Sequence, residues 1–324
     1  MKKIFFPSAA LLVFLFFCLK LPLSSTFLPE STSTVINNQD SGTEKEEQHL
    51  QLNSFPIASN VERLLETVFP SPSTEMKFKN NQNLHTINFC NDHKIEEPSG
   101  IVYHRAKDSY FIVGDQGEIY QLNTAGKLVK KKEIKNSDFE GITVNPETHL
   151  LYVAVEGDEE ILEIDPNNFK VLRKFYVNRF YQGKLVLNED GNGIEGLTYN
   201  PHTKSFFLTN QQFDHGNMDD ASAIFEVEFP NAGENNNVLN IINYQKMPLA
   251  DLAAISYDTE KSIFYVVSDI HDTMIFMDKD FNTLGKTKLP GKDQEGVTKT
   301  PEGAFAVAQD TGGIVKVIVQ DDKS

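Results

Sequence analysis

Asp138-Phe139-Glu140-Gly141-Ile142-Thr143 is one of five versions of the same phrase in this chain. The others are Glu97-Pro98-Ser99-Gly100-Ile101-Val102, Gly193-Ile194-Glu195-Gly196-Leu197-Thr198, Asp251-Leu252-Ala253-Ala254-Ile255-Ser256 and Asp293-Gln294-Glu295-Gly296-Val297-Thr298. The small fourth residue marks each copy, at Gly100, Gly141, Gly196, Ala254 and Gly296, so the intervals are 41, 55, 58 and 42 residues. A period of this size, filled with short strands, reads as a propeller-type array of four-stranded blades.

Each copy continues in the same way. An apolar run follows and closes on a polar residue: Asp115, Glu156, Gln211, Asp269 and Asp310, which lie 15 positions after the marker in four copies and 14 in the last. A third strand-like run comes next, such as Glu160-Ile161-Leu162-Glu163-Ile164, with the period-2 alternation of a strand that has one wetter face. The last copy supplies only three strands. Leu84 to Phe89, ahead of the first copy, has strand character and would serve as the missing outer strand. The expected fold is therefore all-β: a five-bladed β-propeller over 84–320, its last blade closed by an N-terminal strand, which leaves no broken seam.

The sequence before the repeats divides in two. Residues 1–25 combine Lys2 and Lys3 with an apolar run from Ile4 to Leu19, and read as a signal peptide or signal anchor. The run is shorter than the ~20 residues of a spanning helix. Residues 26–83 are rich in Ser, Thr, Asn, Gln, Glu and Pro and read as a mostly disordered tether. Within it Val61, Leu64, Leu65, Val68 and Phe69 recur at helical spacing, which predicts a short helix near 61–69. The bulk of the chain is thus expected outside the cytoplasm, membrane-anchored, periplasmic or secreted.

Among 324 residues, 46 acids against 30 lysines and arginines give a net charge of -16, which argues against nucleic acid as a partner. Cys18 falls in the apolar N-terminus and leaves Cys90 alone, so no internal disulfide is available and Cys90 reads as a buried strand residue.

The repeat also places carboxylates. One residue before the marker stand Ser99, Glu140, Glu195, Ala253 and Glu295; three before it stand Glu97, Asp138, Gly193, Asp251 and Asp293. If the phrase forms the innermost strand, side-chain alternation aims both positions into the channel. Two like charges ~4 Å apart cost on the order of 4 kcal/mol at an effective dielectric of 20, so such a ring must take up protons or share a cation. Oxygen-only ligands suit Ca2+, with Mg2+ second because it demands a tighter octahedron. The expected ligands are Glu140, Glu195, Glu295, Asp138 and Asp293, with Glu97, Asp115, Glu156, Asp251, Asp269 and Asp310 as further channel or loop acids. Acids at strand ends also cap turns, and that alternative stands beside the metal. No nucleophile elbow, phosphate loop or zinc motif occurs. His271 and His215 each have a carboxylate neighbour in sequence but no repeated partner.

These phrases, behind a membrane-directed N-terminus, resemble the bacterial SdiA-regulated (YjiK-type) family of β-propeller proteins, from about Leu84 to Val319. The resemblance implies a five-bladed propeller with a bound calcium and no established activity. Ser99 and Ala253 depart from the glutamate phrase. The expected function is a membrane-tethered, calcium-binding module for a small molecule or protein partner. The alternative is a calcium-dependent phosphoester or lactone hydrolase working at the channel mouth.

Overall fold

In the computed structural model the described residues are 84–90, 95–135, 137–187, 193–211, 222–230, 236–311 and 313–319. The N-terminal apolar segment, the tether with its helix near 61–69, and His215 lie outside them. Apart from a single 3-10 turn at Arg105–Lys107, the described regular structure is all strand.

The first sheet pairs β2 (Pro98–His104), β3 (Ser109–Gly114), β4 (Glu118–Asn123) and β5 (Leu128–Glu133) in order. The next strands are β6 (Phe139–Val144), β7 (Leu151–Val155), β8 (Glu160–Asp165) and β9 (Lys170–Asn178), followed by a small hairpin, β10 (Phe180–Tyr181) and β11 (Lys184–Leu185). Then come β12 (Ile194–Asn200), β13 (Ser205–Asn210), β14 (Ala223–Glu228) and β15 (Val238–Lys246). Strand β15 runs parallel to β9 and hydrogen-bonds with it, so these two sets of four share one eight-stranded sheet. A further sheet holds β16 (Ala254–Asp258), β17 (Ile263–Ser268), β18 (Thr273–Met277) and β19 (Thr283–Lys288). In the last, β20 (Gln294–Lys299), β21 (Phe305–Gln309) and β22 (Gly313–Val319) are joined by β1 (Leu84–Asn88), antiparallel to β22.

The marker phrase forms the first strand of every repeat: β2, β6, β12, β16 and β20. These strands touch in sequence, β2 with β6, β6 with β12, β12 with β16 and β16 with β20, and β20 touches β2. Each letter of the phrase has a task in those contacts. A Cβ on Gly141 would lie 2.3 Å from the amide nitrogen of Leu197; one on Gly196, 2.6 Å from that of Ile255; one on Gly100, 2.3 Å from the carbonyl oxygen of Glu140; one on Gly296, 2.9 Å from the nitrogen of Ile101. In these four copies neighbouring backbones come too close for a side chain, which is why the marker is glycine there. Two residues on, the threonine hydroxyl accepts an N–H from the next first strand: Thr143 from Tyr199 (3.1 Å), Thr198 from Tyr257 (3.0 Å) and Thr298 from Tyr103 (3.1 Å). Asn145, Asn200 and Asp258 then end the strand by accepting the N–H two residues further on, at 2.8, 2.9 and 3.0 Å.

The apolar side chains fall into five clusters, each straddling two consecutive repeats. Tyr152 of β7 packs on Phe206 of β13 with ring centroids 5.1 Å apart, and Tyr265 of β17 on Phe305 of β21 at 4.8 Å. Middle strands are covered on both faces, which explains why β13 and β17 are buried along their whole length and read as continuous apolar runs. Outer strands β5 and β9 keep one face in water and alternate. Cys90 is half-buried beside the cluster that joins the first and last sheets.

Candidate functional site

The glutamate before each marker is aimed by an irregularity. Pairing of β6 with β7 skips from Phe139 to Ile142, that of β12 with β13 from Ile194 to Leu197, and that of β20 with β21 from Gln294 to Gly296. Glu140, Glu195 and Glu295 therefore sit in β-bulges, which bend the strand and redirect a side chain. The same shift occurs at Ser99, whereas β16 starts at Ala254 and shows none. Simple alternation does not apply here, contrary to the expectation from sequence. The position three before the marker precedes the strand, and Glu97, Asp251 and Asp293 have left-handed backbone there, with φ of 43°, 58° and 56°.

Each later acid is tied back to that position through the main chain. The N–H of Asp115 donates to the Glu97 carbonyl (3.4 Å), Glu156 to Asp138 (3.0 Å), Asp269 to Asp251 (3.1 Å) and Asp310 to Asp293 (2.8 Å). The recurring offset of 14–15 residues is the trace of this bond. Two of these side chains also reach the next repeat: Glu156 accepts the N–H of Gly193 (3.2 Å) and Asp269 that of Gln294 (2.5 Å). Asp115 instead accepts the Ser99 hydroxyl, so the serine that breaks the glutamate pattern serves as a donor.

Asp115, Asp138 and Glu140 converge. One carboxylate oxygen from each lies within 4.8 Å of the other two. That separation fits donors arranged around a single calcium, whose oxygens lie at about 2.3–2.6 Å from the ion. Glu140 feels the charge of Glu195, and Glu195, only 6% exposed, feels Glu156, Glu295 and Asp251. Glu295 feels Asp269, Asp251, Asp310 and Asp115.

The electrostatics follow from this crowding. Burial, then Glu195, Asp115 and Asp138, push the carboxyl of Glu140 well above its usual range. Burial and its carboxylate neighbours do the same to Glu195. Glu295 is raised to about 8, first by burial and then by Asp269 and Asp251. Asp115 and Asp269 are each raised to about 6, again chiefly by burial. Asp138, Glu156, Asp251 and Asp310 are raised too, with burial leading each time. The strongest influences on these carboxyls include no lysine or arginine. Beside the convergent acids opens a pocket of about 430 Å³, lined by Asp115, Asp138, Val155, Glu156 and Asp158.

A family model described as SdiA-regulated matches residues 85–318. The chain belongs to the SdiA-regulated family. Among solved structures, this SdiA-regulated chain is similar to the glutaminyl cyclase of Myxococcus xanthus, at 15% identity over 74% of this chain and 97% of that one, with a TM-score of 0.52. It is more remotely similar to the β-propeller domain of Cps50 (Swd1) from Myceliophteria thermophila (12% identity, 74% and 69% covered, TM-score 0.39) and to a streptogramin B lyase (13%, 74% and 74%, 0.40). Comparison with curated proteins finds no match. At these identities the likeness concerns the fold, a propeller-like arrangement of strands.

Two features of the SdiA-regulated site have no mark in the sequence. Gln294 is fully buried and neither atom of its amide has a hydrogen-bond partner, and Oδ1 of Asp251 is likewise buried without one. A glutamine beside a glutamate carries no pattern of its own, so burial is the only cue. His271 is exposed; its Nδ1 lies 2.9 Å from the Ser268 hydroxyl, while that hydroxyl donates to the Ala250 carbonyl (2.8 Å) and Ser268 has no exposed surface. The pair fixes a turn near Asp251.

Proposed function

We propose that this SdiA-regulated protein is a five-bladed β-propeller, closed by β1, that binds Ca2+ among the acids of its inner strands and offers the adjoining acidic pocket to a ligand or partner. We also propose that residues 1–25 direct it out of the cytoplasm, with 26–83 as a tether. Support for the blade count comes from the cyclic contacts of the marker strands and the five inter-repeat clusters; support for closure comes from the pairing of β1 with β22. The observation that carries the metal is the convergence of Asp115, Asp138 and Glu140. Those three would hold the ion, which would neutralise carboxylates that otherwise repel one another. Metal analysis of the purified protein tests this directly, and a preparation that neither contains nor takes up calcium would end the reading.

The raised carboxyls also give a pH dependence. Folded Glu295, at about 8, and Asp115 and Asp269, at about 6, hold protons more tightly than the unfolded chain. Their contribution to stability is present at low pH and is lost as pH rises through those values. In chelator, the melting temperature is expected to climb as pH falls from 8 to 5. Saturating calcium should flatten that slope. Below this window other carboxylates act oppositely, for example Asp258, which despite burial is pulled down by Lys299 and Tyr265. Identical slopes with and without calcium, measured by thermal scans, would count against the ion.

Glu140→Gln separates the metal from a bare acidic scaffold. Because the Glu140 carboxyl is raised well above its usual range, the amide should stabilise the chelated protein only at high pH, where the carboxyl would otherwise carry a buried charge, while shrinking the increment that calcium provides. Thermal scans of both proteins in chelator and in calcium supply the comparison. A variant with an undiminished calcium increment would remove Glu140 from the ligand set.

A further inference from the structure

Residues 127–135, which include β5, hold Lys127, Lys130, Lys131, Lys132 and Lys135 against a single acid, Glu133, in a chain that carries 46 acids against 30 basic residues. Alternation along the strand sorts them. Lys131 turns to one side, where it pairs with Glu118 at 3.3 Å and lies 4.7 Å over the Tyr120 ring. Glu133, the register partner of Glu118, shares that side. Lys130 and Lys132 turn to the other, toward the second repeat, and reach the turn between β8 and β9.

Three ammonium groups gather at that turn. Lys130 donates to the main-chain carbonyl of Asn167 and stands 4.7 Å over the Phe169 ring. Lys132 donates to the Phe169 carbonyl (2.6 Å), and Lys107, from the 3-10 turn after β2, donates to the Asn167 side-chain oxygen. All three acceptors are neutral. The acid of the turn, Asp165, feels Lys107 but spends its oxygens on the N–H and amide of Asn167 and the amide of Asn168. Asp108, next to Lys107, is bonded to the Tyr103 hydroxyl (2.7 Å), on which Glu302 of the last repeat also acts.

A turn of this kind does not call for such a gathering. In the fourth repeat Phe281 enters the core between repeats as Phe169 does here. That turn closes through Asp278, which accepts the N–H groups of Asp280 and Asn282 at 2.9 Å, and its lysine, Lys279, pairs with Asp280. Like charges assembled on neutral oxygens repel, and an anion relieves the repulsion.

We infer that Lys107, Lys130 and Lys132, assembled on the Asn167–Phe169 turn, form a binding site for a phosphate group. An ammonium has three N–H donors, and each of these has given one to the turn, which leaves the others for an acceptor arriving from solvent. Asn167 and Asn168 are exposed, so the approach is open. A phosphate brings several acceptor oxygens and about two negative charges near neutral pH, and lysine meets it as a point charge. The net charge of -16 repels an extended polyanion, which favours a single group carried by a soluble compound or a lipid headgroup. The inference uses none of the metal-site acids and goes beyond that reading.

Calorimetric titration of the full-length protein with inorganic phosphate, in metal-free buffer so that no calcium bridges the anion to the acidic cluster, tests the site. Binding is expected, with affinity lower by roughly tenfold or more in Lys107→Gln/Lys130→Gln, the scale of a lost charged hydrogen bond. Lys261→Gln/Lys286→Gln removes the same charge from exposed lysines of the fourth repeat and should leave the affinity nearly unchanged. Lys107 is exposed, so Lys107→Gln alone should weaken binding with unaltered circular dichroism, which separates loss of the site from loss of the fold. Sedimentation with phosphatidylglycerol vesicles identifies the carrier: retention that falls in Lys107→Gln/Lys130→Gln assigns a headgroup, whereas phosphate binding without it assigns a soluble compound. The proposal is overturned if neither phosphate binding nor vesicle retention depends on Lys107 and Lys130, or if Lys261→Gln/Lys286→Gln weakens both as much.

Discussion

Replacing Gly141 with alanine is expected to cost about 3 kcal/mol, the upper range for overpacking, and so to lower the melting temperature by roughly 6–12 °C for a domain of this size. The added carbon would meet the Leu197 amide nitrogen at 2.3 Å and the Glu195 carbonyl oxygen at 2.7 Å. Both are backbone atoms of a neighbouring inner strand, so nothing flexible can yield, and moving that strand disturbs its own bulge. Gly157 provides the comparison. It needs a left-handed backbone, with φ of 80°, but has nothing within 4 Å of where its side chain would be, and its alanine variant should lose only about 1 kcal/mol. Thermal denaturation of the two variants decides the matter. A Gly141→Ala protein no weaker than Gly157→Ala would mean that the repeated glycine is not a spacing device.

Stripping calcium is expected to have an effect of similar size. An ion that binds the native state alone contributes about 2.7 kcal/mol at a concentration one hundred times its dissociation constant, which corresponds to a melting-temperature increment of roughly 5–11 °C. Chelation should remove that increment, and restoring calcium should return it. The increment should grow with the logarithm of calcium concentration once the site is saturated. Scanning calorimetry across a calcium titration reads this, and a melting temperature indifferent to chelator would leave the crowded acids to be managed by protons alone.

How far the sequence could be read depended on which interactions recur. The all-β repeat architecture and the family were legible because one phrase returns with its spacing, and the structure attaches a cause to the small marker and to the following threonine: strand clearance at Gly141 and the Thr143–Tyr199 bond. The 15-residue offset was visible while its origin, the bond from the Glu156 amide to the Asp138 carbonyl, was not. Aiming of the acids could not be read, because a bulge is a mismatch between two strands and neither strand records it alone. The convergence of Asp115 with Asp138 and Glu140 was hidden for the same reason: it joins two repeats at positions that symmetry treats as different. Gln294 and the β9–β15 seam occur once each, and periodicity has nothing to say about an event without a second instance.

That seam has a mechanical consequence. Repeats that touch only through side chains can tilt against one another at little cost, but β9 and β15 share a hydrogen-bonded ladder through Val177 and Leu239 at their outer edge. The second and third repeats are thereby welded into one plate. Breathing between sheets must be taken up at the remaining joints, and the amides along the weld should be among the slowest in the protein to exchange with deuterium.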